Sequence, residues 1–292
     1  MDFIEPIFAV HLPDGLILGT GIIMGWGIAF LLIFLGGRKL PDNDIPKISF
    51  LTAVFFLTSL LPIQIPGGPK THLLLNGLIG VLLGQHAVLA IAPALLLQSL
   101  LFAHGGFLSL GLNICVMTIP ALLINILTKT IQKPLLSGKP AVQFLIIFFI
   151  TNACLFSITS GIMMLVWQFN FLEKSQITDQ LIIFASSPKT ILGFMVSSMI
   201  ISWGFMKSKK GMLFALGFFI GISGVILTIF LHSAIMLISG VPNLEPIIFI
   251  TCILHIPLGI IEGLTVGTMI SFLAKVKPEM LETIGYAPTN KA

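Results

Sequence analysis

Charge is what this sequence has least of. Only 9% of its 292 residues are Asp, Glu, Lys or Arg, against about a quarter in a soluble domain, while 56% are hydrophobic and the mean hydropathy is +1.09. That balance excludes a cytosolic globular enzyme. The net charge of +4, from 15 basic and 11 acidic residues, is too sparse for a basic groove, which excludes nucleic acid as a partner. Cysteine is scarce too. Cys115, Cys154 and Cys252 lie far apart in apolar stretches with no CxxC spacing, so neither a disulfide framework nor a zinc ribbon is supported. No GxxxxGK[ST] phosphate loop occurs, so the chain does not hydrolyse ATP by that route. HExxH, GxSxG and an intramembrane Asp pair are also missing, which argues against metalloprotease, serine hydrolase and presenilin-type protease chemistry. A secretory signal is not expected, because the first fifteen residues carry Asp2 and Glu5 and end in the turn Pro13-Asp14-Gly15.

What the sequence has instead is long apolar runs. Crossing ~30 Å of hydrocarbon takes roughly 17 to 25 residues, which gives spans at 16–36, 48–65, 107–127, 189–206, 211–239 and 246–274, with one longer helix over 141–169. Residues 73–103 are too long for one span and short for two. Gly84-Gln85-His86 breaks the run near its middle, so it divides into 73–84 and 87–103. The expected fold is an all-α polytopic transmembrane helical bundle of about nine spans, or eight if 73–103 is one. Residues 1–281 form a single transmembrane domain and 282–292 a short cytoplasmic tail.

Loop charge favours nine. With the N-terminus outside and the C-terminus in the cytoplasm, twelve Lys and Arg fall inside and only Lys70, Lys174 and Lys189 outside. A single span over 73–103 would set the cluster 129–139 against the cluster 38–47. Nine spans place His11, His72 and His104 together on the outer side, where three imidazoles can converge. His86 falls at an internal turn, His232 towards the outer end of the eighth span, and His255 inside the ninth.

Four pieces carry candidate chemistry, and each has a plainer reading on its own. His11-Leu12-Pro13-Asp14-Gly15 reads as an Asp-Gly turn entering a helix. The run Pro66-Gly67-Gly68-Pro69-Lys70-Thr71-His72, followed by Leu73-Leu74-Leu75-Asn76-Gly77, presents His72 at a helix start. In His104-Gly105-Gly106-Phe107-Leu108-Ser109-Leu110-Gly111-Leu112-Asn113 the glycines permit a tight return. Asn113 is a costly amide unless it bonds to a neighbour, so helix packing is its plain role. In His255-Ile256-Pro257-Leu258-Gly259-Ile260-Ile261-Glu262-Gly263 the two ionisable groups are seven apart on one helix face. An intramembrane pair of this kind is functional by default, with a buried interhelical hydrogen bond as the alternative.

In their order, HLPDG, HLLLNGLIGVLLG, HGGxxxLGxN and HxPxxxxEG, closing on Lys277-Pro278-Glu279-Met280-Leu281, these pieces resemble the CbiM/NikM family. Its members are the substrate-binding membrane subunits of cobalt and nickel energy-coupling-factor (ECF) transporters. The resemblance covers residues 11–281 and is weakest over 140–206, which reads as two spans beyond the usual family length. It implies a planar site of four nitrogens: the free N-terminal amine, the amide and imidazole of a residue-two histidine, and a loop histidine. His11 matches the first histidine and His72 the second. Such ligation suits Co(II), Ni(II) or Cu(II), and because every ligand must lose its proton, uptake should weaken in acid. His104, Asn76 and Asn113 are candidates for supporting the ligands or packing helices, and His255 and Glu262 for coupling to transport. One departure is plain: nine residues precede Val10, where the family begins at the initiator Met just before the histidine. An amine nine residues upstream cannot chelate with the His11 amide. A GTG start at codon 10 would restore the pattern and is the preferred reading; cleavage after Ala9 would give the same geometry on Val10.

The resemblance implies a multi-pass protein of a bacterial or archaeal cell membrane that captures Co(II) or Ni(II) outside and passes it inward. It implies a transmembrane coupling subunit, cytoplasmic ATPase subunits and a small accessory membrane subunit as partners, the metal as cargo, and no prosthetic group. Two other classes compete. A stand-alone secondary carrier would hold its metal near the midplane, where His255 and Glu262 lie. An intramembrane metal-dependent enzyme would need a general base, for which Glu262 is the one carboxylate well inside a span.

Overall fold

A chain this apolar can sit in hydrocarbon only if its backbone amides are satisfied internally, and helices do that segment by segment. The computed structural model describes residues 11–64, 70–152, 187–239, 245–284 and 286. Val10, residues 153–169 of the helix expected over 141–169, and the loop that follows to 186 lie outside the described residues. The helices are α1 (Thr20–Gly37), α2 (Ile45–Leu60), α3 (Asn76–Leu83), α4 (Ala87–Phe102), α5 (Leu110–Ser137), α6 (Pro140–Asn152), α7 (Pro188–Met206), α8 (Lys209–Ile238) and α9 (Glu245–Val276). A two-residue antiparallel pair, β1 (Ile63–Gln64) with β2 (Lys70–Thr71), closes the loop ahead of α3. By length and composition, Thr20–Gly37, Asn76–Phe102, Leu110–Ser137, Lys209–Ile238 and His255–Val276 can each cross a membrane. α1 is apolar on every side and mostly exposed, as a lipid-facing helix is.

The expected break in 73–103 is observed. α3 ends at Leu83, Gly84–His86 form a 3-10 turn, and Gly84 takes φ +58. The two ends of this stretch meet again, since the His72 and His104 rings are 5.2 Å apart. One continuous helix of that length would separate them by roughly 40 Å. α3 and α4 are therefore a helical hairpin with both open ends on one side of the molecule.

α3 is the centre of the bundle, and all eight of its residues are buried. It fits because two of its faces lack a side chain. A Cβ on Gly80 would overlap the Ala121 carbonyl oxygen of α5, and one on Gly77 would lie 2.8 Å from the Ile220 carbonyl oxygen of α8. At its lower end the Thr283 hydroxyl donates to the Leu82 carbonyl (2.8 Å), and His86 Nδ1 lies 2.6 Å from the Gly36 carbonyl of α1. The chain stays packed through this 3-10 segment, Pro278–Ile284, with Leu281 fully buried, so the body continues a few residues past 281.

Two GxxxG spacings, Gly21 with Gly25 and Gly217 with Gly221, mark helix faces where backbones can approach, and both faces pack within the chain. Gly25 of α1 meets Leu112 of α5, and Gly111 lies against the Trp26 backbone. Gly217 faces Gly267 and Gly221 faces Glu262 and Gly263, which sets α8 antiparallel to α9 with backbones nearly touching. The tightest of these approaches gives a test: Gly80→Ala should cost ~2 kcal/mol or more through overpacking. Gly27→Ala, where nothing lies within 4 Å, serves as the control. Thermal unfolding of both variants in detergent checks this, and equal midpoints would refute the wedge.

Candidate metal centre

Three separate loops each deliver one imidazole to a single point. His11 precedes α1, His72 precedes α3, and His104 follows α4. His11 stacks on His72 at 5.1 Å between ring centroids and meets His104 edge-on at 4.7 Å. One ring nitrogen from each lies within 4.8 Å of the others, and His11 and His72 are buried. Three imidazoles on one cation at ~2.1 Å have nitrogens roughly 3.4 Å apart, so small ring rotations bring these atoms onto a shared ion.

The donors are in the right state. His72 Nδ1 lies 3.0 Å from the Leu73 carbonyl oxygen, which only accepts, so the proton sits on Nδ1 and the lone pair on Nε2. Among the described residues His11 Nε2 and His104 Nε2 have no hydrogen-bond partner. Burial pushes the His72 pKa down to about 4, with the nearby charges of His104 and His255 adding to it. Burial likewise holds His11 well below its usual range, reinforced by His104, His72 and His232, and burial lowers His104. All three rings are thus neutral at physiological pH, as metal ligation requires.

Side chains from helices hold the loops. Asn113 grips the residue next to His11 at both ends: Leu12 N donates to Asn113 Oδ1 (2.7 Å), and Asn113 Nδ2 donates to the Leu12 carbonyl (3.0 Å). The Ser109 hydroxyl also donates to the Leu12 carbonyl, at 2.6 Å. The Asp14 carboxylate accepts from Phe107 N and Ser109 N, both at 2.9 Å, and from the Ser109 hydroxyl at 3.0 Å. Burial raises the Asp14 pKa, but the Ser109 and Leu108 amides outweigh it and hold it below the ordinary value. The paired glycines are now explained. Gly105 takes φ +74, and a Cβ on Gly106 would overlap Asp14 Oδ1.

The loop carrying His72 is held from the other side. The Glu262 carboxylate of α9 accepts from Leu74 N (3.1 Å) and Leu75 N, and Leu75 is left-handed at φ +48. Asn76 Nδ2 donates to Thr228 Oγ1 of α8 (2.7 Å) and to the Met117 carbonyl of α5 (3.2 Å).

The structure thus brings His11, His72 and His104 together, and His104 stands as a third ligand candidate rather than in the supporting position the sequence reading gave it. Proximity decides this, because its ring is as near His11 as His72 is. Asn113 and Asn76 lie behind the ligands. Glu262 reaches the backbone beside His72 instead of the imidazole cluster. His255 stays outside the triad, and Val10 lies outside the described residues. Two supports escaped the sequence reading as supports. Asp14 was read only as a turn residue, and Ser109 filled a variable place in its motif. A polar residue one step before an apolar helix was the available signal for Ser109.

Over residues 11–196 and 188–280 the chain matches the CbiM family, described as a cobalt uptake substrate-specific transmembrane region. It is 33% identical over 130 residues to a protein of Haemophilus influenzae named for metal transport, covering 44% of this chain and 63% of that one. It is 31% identical over 110 residues to the fused nickel transport protein NikMN of Rhodobacter capsulatus (36% and 31% covered). It is 30% identical over 165 residues to the cobalt transport protein CbiM of Thermosynechococcus vestitus (53% and 63% covered). The chain thus spans about a third to just under two thirds of the length of these relatives. A crystal structure of a transition metal transporter aligns over 91% of this chain and 93% of its own, at 16% identity and a TM-score of 0.46. With the match running almost unbroken from His11 to Met280, the chain belongs to the CbiM family of membrane proteins.

Proposed function

We propose that this protein is the substrate-capture subunit of a Co(II) or Ni(II) importer, holding the cation between His11, His72 and His104 and passing it across the membrane. The convergence of three imidazoles from three loops, His11 and His72 buried and His104 half-buried, carries this reading. Neutral nitrogen donors suit these borderline cations and disfavour Mg(II) or Ca(II), which want oxygen. Relatives named for cobalt and for nickel transport support both metals.

The energy comes from elsewhere. With no phosphate loop in the sequence, the ATP-driven step falls to cytoplasmic ATPase subunits acting through a membrane coupling subunit. Helix directions support a sidedness: the triad lies at the open ends of the α3–α4 hairpin, and the Lys-rich ends of α5 and α7 lie at the opposite level. The positive-inside rule then puts the triad outside and the C-terminal 3-10 segment in the cytoplasm. An enzyme reading is disfavoured by the carboxylates near the site. Asp14 and Glu262 already spend their oxygens on backbone amides, which leaves neither free as a general base.

Three measurements test this. His72→Ala should weaken Co(II) binding to the purified chain at least 100-fold while the protein still elutes as a folded monodisperse species; unchanged affinity would remove the triad from the reading. Affinity should hold from pH 8 down to neutral pH, because burial lowers the pKa of all three rings, and should be lost by the time pH approaches about 4, where His72 takes its proton. A tenfold loss per pH unit starting near pH 8 would instead bring in a free amine, with its ordinary pKa of about 7.7–8.0. In a cysteine-free background, a membrane-impermeant thiol reagent applied to whole cells should label Leu108→Cys and spare Ser137→Cys, both exposed positions. The opposite pattern would invert the topology.

A further inference from the structure

Two more histidines stand beside the triad, and capture alone gives them no task. His232 of α8 and His255 of α9 are each 1% exposed. His255 Nδ1 lies 2.7 Å from the Thr251 carbonyl oxygen, so it holds the proton and leaves the lone pair on Nε2, which has no hydrogen-bond partner among the described residues. A backbone carbonyl on one ring nitrogen and a free lone pair on the other is the arrangement a metal-ligating histidine adopts. Among the described residues His232 Nδ1 is also without a partner. Each buried polar atom left unpaired is costly, so a packing role alone does not account for both.

Helix register places the pair. Ser233 Oγ lies 3.7 Å from Cys252 Sγ, which brings His232 and His255 within about one turn of each other across the antiparallel α8–α9 pair. Thr228, one turn before His232 on the same face, bonds to Asn76, four residues past His72. Glu262, two turns after His255 on the same face, holds Leu74 and Leu75. Both histidines thus rise from the two helix faces that grip the His72 loop, close to the level of His72 itself.

We propose that His232 and His255 form a second imidazole station for the same Co(II) or Ni(II), receiving the cation from the triad on the α8–α9 side. This rests on the triad reading and extends it. Transfer is ligand exchange between neutral nitrogens: the cation leaves one imidazole as it gains another, with no electron transferred and no proton released. Two imidazoles hold a cation less firmly than three, so the station is the weaker of the two, as onward release requires.

The test uses the full-length chain in detergent with Co(II) alone as the probe, followed by calorimetry and by its visible ligand-field absorption. His72→Ala should leave one residual equivalent, bound at least 100-fold more weakly than in the parent and with a changed spectrum. Adding His232→Ala and His255→Ala should weaken that residual binding at least tenfold more. The same pair of changes with His72 intact should leave triad affinity within about threefold, which also shows that the fold survives. The station is overturned if His72→Ala leaves no residual site, or if the residual site is indifferent to His232 and His255. If His72→Ala changes nothing, the triad reading falls. In that case loss of binding in His232→Ala/His255→Ala supports the station, and retained binding overturns it.

Discussion

Non-helical backbone inside an apolar protein has no water to bond with, so loop amides near the site must find partners within the protein. The candidate metal centre depends on this constraint. Its three histidines all lie on such backbone, and the loops keep their shape because Asn113 and Ser109 bond Leu12, Asp14 bonds Phe107 and Ser109, and Glu262 bonds Leu74 and Leu75. Asn113, Ser109 and Asp14 tie the His11 loop to α5 and the turn before it, and Glu262 ties the His72 loop to α9. The imidazoles are positioned by the bundle through these few polar contacts more than by their own neighbours in sequence.

The hairpin α3–α4 connects this site to the opposite end of α3. α3 carries the His72 loop at one end and the Thr283 contact of the C-terminal 3-10 segment at the other, over only eight residues or ~12 Å. Gly77 and Gly80 let it pass between α5 and α8 almost backbone to backbone. α3 thus joins the His72 loop to the C-terminal 3-10 segment through one packed helix. Glu262 ties the same loop to α9.

Much was legible in the sequence because its physics is local. Apolar run length and scarce charge gave the helical membrane fold, and Gly84-Gln85-His86 marked the hairpin turn, since a 3-10 turn with left-handed glycine is a local property. The four motifs gave the CbiM family, and lysine distribution placed three histidines on one side before any distance was known. No GxxxxGK[ST] phosphate loop occurs in the sequence.

Only the tertiary structure decided how those pieces meet. His104 joins His11 and His72 because α4 returns to the level at which α3 began, and no pattern within either segment states that distance. Asp14 proved to be a support for the turn into α5, ninety-odd residues along the chain, and Glu262 a clamp on a loop 187 residues before it. The GxxxG faces turned inward on α5 and α9, a choice that spacing leaves open. The division has one cause. Helix formation and hydrophobicity are written in neighbouring residues, whereas ligand convergence and the bonding of loop amides depend on which helices pack side by side.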